Sequence, residues 1–216
     1  MRIKKIKRII IFILATVLTN IAIAQKSGFN KVEDIDKVKL ELAKLSENTS
    51  TIQSEFIQEK HLSFLTENII SKGEFYFRSP NQLRWEYSEP YSYIIVFNNK
   101  NIFIKDDGKV STFDTESNKM FSEINTMMIG TIQGNLFQDS ERFDVEYYEN
   151  DSQYLLELVP ILAEMKSMLK AIKIYIDKKN ISVAKIKMTE SSDDYTSIDF
   201  VNRKLNQPIE NNKFSL

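Results

Sequence analysis

GEFYFRSPNQLRWEYSEP, residues 73–90, alternates apolar and polar side chains on either side of a proline turn. Gly73, Phe75 and Phe77 interleave with Glu74, Tyr76 and Arg78, and Leu83, Trp85 and Tyr87 interleave with Arg84 and Glu86. A period of two sends successive side chains to opposite faces of a sheet. Ser79-Pro80-Asn81-Gln82 between the runs, and Ser88-Glu89-Pro90 after them, carry turn chemistry, because proline presets φ and cannot donate to a ladder. The same grammar continues downstream. Strands are expected over residues 91–97, 102–105 and 110–113, separated by turns at Asn98-Asn99 and Asp106-Asp107-Gly108. The centre of the chain therefore reads as a meander of short antiparallel strands.

On the N-terminal side, Val32, Ile35, Val38, Leu42 and Leu45 recur at helical spacing, which predicts an amphipathic helix over residues 32–45. Ile52, Phe56, Leu62, Phe64 and Leu65 then mark one long strand. On the C-terminal side, Met120, Phe121, Ile124, Met127 and Met128 return to helical spacing over residues 118–130, with Gly130 and Gly134 placed to end the helix. Strands are expected at 143–148 and 154–159. A short helix carrying Ile161, Leu162, Met165, Met168 and Leu169 follows Pro160, and strands at 172–176, 183–188 and 195–201 close the series, with Asp193-Asp194 at a turn. The class is α+β, with about ten to eleven antiparallel strands in one curved sheet and few short helices. Patterning leaves two outcomes open: the sheet closes on its own side chains, or a cavity remains.

The first residues read as an export signal. MRIKKIKR is basic, residues 9–24 are apolar, and Ala22-Ile23-Ala24 offers a small-x-small cleavage site, so residues 1–24 are expected to leave and a single domain to occupy 25–216. The apolar run falls short of the roughly 18–20 residues of a spanning helix, which disfavours an uncleaved anchor. Overall charge is −1, and the leader removes Arg2, Lys4, Lys5, Lys7 and Arg8 but no acid, leaving an acidic remainder with no electrostatic reason to bind nucleic acid. Cysteine is absent, so no disulfide and no lipid-bearing cysteine is available. The expected product is a freely diffusing periplasmic protein.

Chemistry is sparse. A Ser or Cys nucleophile needs a base, and the chain has one histidine, His61, which is read as structural. Asp106-Asp107 and Asp193-Asp194 occupy turns rather than metal-ligand spacing, and Gly130-x-x-x-Gly134 lacks the Lys-Ser/Thr of a nucleotide loop. Glu86 lies within a strand and Glu89 precedes a turn proline, a poor placement for a glycosidase pair. No enzyme activity, metal or cofactor is expected. What stands out is apolar surface. Tyr76, Trp85, Tyr87, Tyr91, Tyr93, Phe97 and Phe103 crowd the meander, and methionines line the helical segments. Methionine suits surfaces that repack around varied ligands, and equally fills ordinary cores.

Phe56-x-Gln58, then Gly73-Glu74-Phe75-x-Phe77-x-x-Pro80-x-x-Leu83-x-Trp85-x-Tyr87-x-x-Pro90, then Ile94-Ile95-Val96-x-Asn98-x-Lys100 resembles the LolA family of periplasmic lipoprotein carriers. The resemblance implies an unclosed antiparallel β-barrel, or half-barrel, with a lid of short α-helices over an apolar cavity that shields acyl chains. It implies a cavity wall of Phe56, Phe75, Phe77, Leu83, Trp85, Tyr87, Ile95 and Phe97, and a lid of Met120, Phe121, Ile124, Met127 and Met128. The implied partners are acylated lipoproteins or other lipids, an inner-membrane release complex and an outer-membrane acceptor, with the carrier acting as a monomer. Where the best-known carriers have a lid-latching arginine directly before the first turn proline, this chain has Ser79, and the arginine is Arg78. One residue of displacement on a strand points a side chain to the other face, so Arg78 is a candidate latch only through a local bulge. Alternative readings keep the cavity for a glycolipid, fatty acid or acylated pigment, or use the shape in a non-enzymatic lipoprotein sensor.

Overall fold

The structure is a computed structural model that describes residues 28–98, 100–114, 129–130, 132 and 141–216. The leader and the five lid residues Met120, Phe121, Ile124, Met127 and Met128 lie outside the described residues.

Among the described residues, twelve antiparallel strands form one open sheet. In chain order they are β1 (Asn30–Lys31), β2 (Thr51–His61), β3 (Ile69–Arg78), β4 (Gln82–Glu89), β5 (Tyr93–Asn98), β6 (Asn101–Asp106), β7 (Lys109–Asp114), β8 (Phe143–Glu149), β9 (Gln153–Pro160), β10 (Leu169–Asp177), β11 (Ser182–Glu190) and β12 (Tyr195–Leu205). Their order across the sheet is β1-β8-β9-β10-β11-β12-β2-β3-β4-β5-β6-β7, with β1 and β7 at its two ends. Two meanders therefore meet where β12 pairs with β2, Phe200 opposite Phe56 and Ile198 opposite Gln58. Helix α1 (Ile35–Asn48) precedes β2, and α2 (Ala163–Lys166) joins β9 to β10.

Alternation divides the sheet into two faces. One, called inner here, carries two apolar clusters. Val145, Tyr147, Leu156, Leu158, Ile172, Ile174 and Ile176 build the first, and α1 covers it with Val38 and Leu42. Asp34 caps α1 by accepting from the Lys37 backbone N–H at 3.0 Å. Glu41 on α1 accepts from the Tyr154 hydroxyl of β9 at 2.5 Å, tying helix to sheet. The second cluster is aromatic: Phe56, Phe75, Phe77, Leu83, Trp85 and Phe97, joined by Ile102, Ile198 and Phe200.

The outer face of β3–β5 is covered by the C-terminal tail. A 3₁₀ turn (Asn211–Phe214) buries Phe214, and Val96 is fully buried on the same face. Arg84 donates to the Ser215 carbonyl at 3.1 Å, Asn98 to the Phe214 carbonyl at 3.1 Å and Gln53 to the Pro208 carbonyl at 3.0 Å.

Several expectations are corrected. The helix expected over 32–45 starts at Ile35 and runs to Asn48, because Val32 donates its backbone N–H to the Tyr147 carbonyl beside β1. The long strand ends at His61. Leu62 and Phe64 lie in the β2–β3 loop, with Phe64 exposed, and the return strand starts earlier than expected, at Ile69. The helix after Pro160 is a single turn, and Leu169 already belongs to β10. Residues 129, 130 and 132 are helical, and Gly134 lies outside the described residues. The strand missing from the expected count is β1, too short for periodicity to register.

Candidate inner-face site

The eight residues expected to form the wall converge. Phe56, Phe75, Phe77, Leu83, Trp85 and Phe97 form the buried part of one cluster, and Tyr87 and Ile95 pack against it. Register explains this. Phe75 lies opposite Trp85, Phe77 opposite Leu83, Leu83 opposite Phe97 and Trp85 opposite Ile95, so each inward position meets another across the ladder. Ring centroids of Phe56 and Trp85 are 5.0 Å apart, those of Phe75 and Trp85 5.2 Å, and those of Phe75 and Phe200 5.4 Å. Phe200 and Ile198 were not singled out in the sequence. Their signal was the alternation of residues 195–201, which says nothing about which strand lies alongside.

The other aromatics of the meander divide between the faces. Tyr76 lies opposite Arg84 on the outer face, donates to Glu74 at 2.8 Å and lies under the Lys213 ammonium at 4.4 Å. Phe103 lies opposite Val96 on that same face, and Tyr91 is exposed in a loop.

Gly73 sits between Phe56 and Tyr87 in the register. A Cβ there would stand 1.9 Å from the Glu86 carbonyl oxygen and 2.8 Å from a Phe56 ring carbon. The absent side chain lets the Phe56 and Tyr87 rings meet at 5.0 Å, edge to face.

In this conformation the floor is largely closed. Ile129 and Ile132, from the connection between β7 and β8, pack onto the aromatic cluster. Beside Ile132 a recess of about 30 Å³ runs along the seam between the two clusters, lined by Ile52, Phe75 and Phe200 on one side and Ile181, Val183 and Ile186 on the other. That volume holds about one or two waters, well below the roughly 300 Å³ at which small-molecule sites begin. Wider clefts of about 540 and 380 Å³ are lined by charged side chains such as Glu55 and Glu74, which suits water rather than hydrocarbon.

Polar groups on the floor are few. Tyr87 donates to the Gln58 side-chain oxygen at 3.0 Å, and burial pushes its pKa up. The Trp85 indole N–H lies within hydrogen-bond reach of the Tyr87 oxygen and opposes part of that rise. Arg203 closes the end of the recess, donating to Asp177 at 2.9 Å and to the Ser182 hydroxyl at 3.0 Å.

Arg78 lies on the outer face. It donates to the Ile209 carbonyl and, at 2.9 Å, to the Asn211 side chain, and its guanidinium stands 4.6 Å from the Phe214 ring centroid. No contact with a described residue of the β7–β8 connection supports a latch; Arg78 clamps the tail. His61 stacks on Tyr195 at 5.1 Å, with Nδ1 2.8 Å from the Asn68 side-chain oxygen, and Glu86 pairs with Arg84 at 2.7 Å on the outer face. Among the described residues no group of three or more His, Asp or Glu could hold a metal, and no helix is long and apolar enough to cross a membrane.

A family model described as outer membrane lipoprotein carrier protein LolA matches residues 47–216. The chain belongs to the LolA family. Its match spans β2 to the C-terminal tail, and so the whole aromatic floor. LolA-like folds recur among solved structures. The Pseudomonas aeruginosa MucA/MucB complex includes a chain with a TM-score of 0.54 at 10% identity, covering 85% of this chain and 61% of that one. A LolA superfamily protein from Nitrosomonas europaea gives 0.42 at 8% identity, over 82% and 97% of the two chains. The Mycobacterium tuberculosis lipoprotein LppX gives 0.46 at 12% identity, over 81% and 98%. No curated protein sequence matches significantly.

Proposed function

We propose that this LolA-family chain is an exported periplasmic carrier that shields the acyl chains of lipoproteins between the inner and outer membranes. The observation that carries the reading is the inner face itself: an aromatic floor with Ile129 and Ile132 packed onto it, in a chain of a family described as lipoprotein carriers. The leader expected at residues 1–24 fits export. Met120, Phe121, Ile124, Met127 and Met128 are proposed to extend the cover's apolar face.

Acyl chains replace the cover in this reading. Each buried methylene contributes about 0.8 kcal/mol, so ten offer about 8 kcal/mol before the costs of association and of displacing the cover. Those costs bring the net affinity below the roughly micromolar value that the gross term alone would give, so longer or multiple chains are needed for tight carriage. A cover with two positions then biases uptake against release through the apolar area each position buries. No covalent step is needed in this reading.

Native mass spectrometry of the protein isolated from cell envelopes tests this. The expected result is a bound acylated polypeptide that is lost when Ile132→Asp places a charge against Phe75 and Phe200. Protein that is empty from the envelope and stays empty when mixed with purified lipoprotein overturns the reading. A mass gain of a small lipid alone replaces lipoprotein with a glycolipid or fatty acid as the passenger.

A further inference from the structure

The C-terminal tail lies on the outer face of β2–β5 in the way a bound peptide would. Register arranges that face into rows that cross the strands. Thr51, Arg78, Gln82 and Asn98 stand in one row, and Gln53, Tyr76, Arg84 and Val96 in the next. Their side-chain donors converge on main-chain carbonyls of the tail. Thr51 donates to the Gln207 carbonyl at 2.7 Å, Gln53 to that of Pro208 at 3.0 Å and Arg78 to that of Ile209. Asn98 donates to the Phe214 carbonyl at 3.1 Å, and Arg84 reaches the carbonyls of Lys213 and Ser215 at 3.3 and 3.1 Å. Any peptide offers such carbonyls, so these bonds do not depend on the tail's own sequence.

Only one tail side chain is sunk into the face. Phe214 is 2% exposed, with the Arg78 guanidinium 4.6 Å from its ring centroid. Lys213 before it spans Tyr76 and Glu74, its ammonium 4.4 Å from the ring centroid and 3.7 Å from the carboxylate. Most other tail residues are exposed. One anchoring ring, one cation and a run of carbonyl bonds is the pattern of a docked ligand, whereas a segment of the core buries several apolar side chains. The row beyond Tyr76, formed by Glu55, Glu74 and Glu86, lines a cleft of about 380 Å³ to which no tail residue contributes. Arg84 answers Glu86 at 2.7 Å and Lys213 answers Glu74, while Glu55 accepts from the neutral Asn202 amide at 3.1 Å.

We propose that the outer face of β2–β5 is a docking groove for a segment of a partner protein that carries an aromatic ring beside two or more cations, and that the tail fills it in cis until such a segment arrives. Tethering gives the tail an effective concentration of about millimolar. Cations that reach the cleft give a partner what the tail lacks, because the tail sets a single ammonium against the acidic row. Phe75, Trp85 and Phe97 point from the same strands to the inner face, so groove and aromatic floor are occupied independently. The inference goes beyond the carrier reading and does not depend on it: the partner recognises the chain from behind, whatever the floor holds.

Two fluorescent peptides test this on the full chain: residues 207–216 as they stand, and the same segment with Ser215→Lys and Leu216→Lys. Phe214→Ala in the chain withdraws the anchoring ring from the groove, and thermal melting checks that the variant is folded. Anisotropy is expected to show both peptides binding the variant about tenfold more tightly than they bind the wild type. The lysine peptide is expected to bind the more tightly of the two at low salt, and to lose that advantage at high salt. In the wild type, which needs no variant to fold, millimolar lysine peptide is expected to move the Phe214 and Ser215 amide cross-peaks toward those of a free tail. The same peptide with Phe214→Ala is expected to leave them in place. Unmoved wild-type cross-peaks, no binding to the folded variant, or equal affinities of the two peptides at low salt each overturn the proposal.

Discussion

Gly73 shows how one missing side chain shapes the floor. Its φ is ordinary, and the need for glycine is spatial: an added methyl would collide with the Glu86 carbonyl, backbone that cannot move aside without breaking the β3–β4 ladder. Gly73→Ala is expected to destabilise the fold by about 2–3 kcal/mol, read as a lower denaturant midpoint with unchanged m. A neutral outcome would mean that the ladder bends there freely. Arg78, the candidate latch, stands on the outer face as its displacement along the strand implies, and there it holds the tail. Arg78→Leu is expected to lower stability by about 2 kcal/mol by releasing the tail, and to leave the rate of acyl-chain release unchanged. Faster release with unaltered stability would return Arg78 to the role of latch.

Elements divide the inner face between them. Helix α1 lies over β8–β11 and contributes Val38 and Leu42 to a cluster that contains nothing from β3–β7. Leu42, 3% exposed, fills space that cannot collapse onto a rigid sheet, so Leu42→Ala is expected to lose about 3 kcal/mol. Thermal unfolding checks this, and lipid binding by the folded fraction should be retained, because the α1 cluster and the aromatic cluster are separate. The meander of residues 73–113 was readable from alternation and turn residues because each strand pairs with its sequence neighbour. The hairpin of β2 and β3 was not, because Leu62, Phe64 and Leu65 imitate a strand's composition while standing at a loop tip. Apolar content alone does not say that a side chain is covered.

Across the whole molecule, buried tyrosines on both faces of β8 and β9 offer a titration that reports on folding. Burial, with a 2.7 Å hydrogen bond to Glu146, raises the Tyr148 pKa from 10.0 to about 12, and burial with the Glu41 bond raises that of Tyr154 as well. Raised folded-state values favour the neutral phenols. Stability is therefore fully present below pH 10.0, where both states hold the proton, and falls as the pH rises toward about 12 while the unfolded chain alone ionises. Denaturation midpoints measured from pH 8 to 12 are expected to follow that curve, and Tyr148→Phe to flatten it in part. A midpoint rising with pH over this window would contradict the assignment.

Local order in the sequence was enough for the strand-rich class, the central meander, the inward set from Phe75 to Phe97 and the likeness to lipoprotein carriers. Side-chain period and turn chemistry act between near neighbours, so they leave a trace that near neighbours reveal. Folding in three dimensions added the pairing of β12 with β2, which brings Phe200 to Phe56, the strapping of the tail by Arg78 and Arg84, and the closing of the floor by Ile129 and Ile132. Each of these joins segments far apart along the chain. Such contacts depend on shape and register over the complete sheet, and no periodicity within a single segment encodes them.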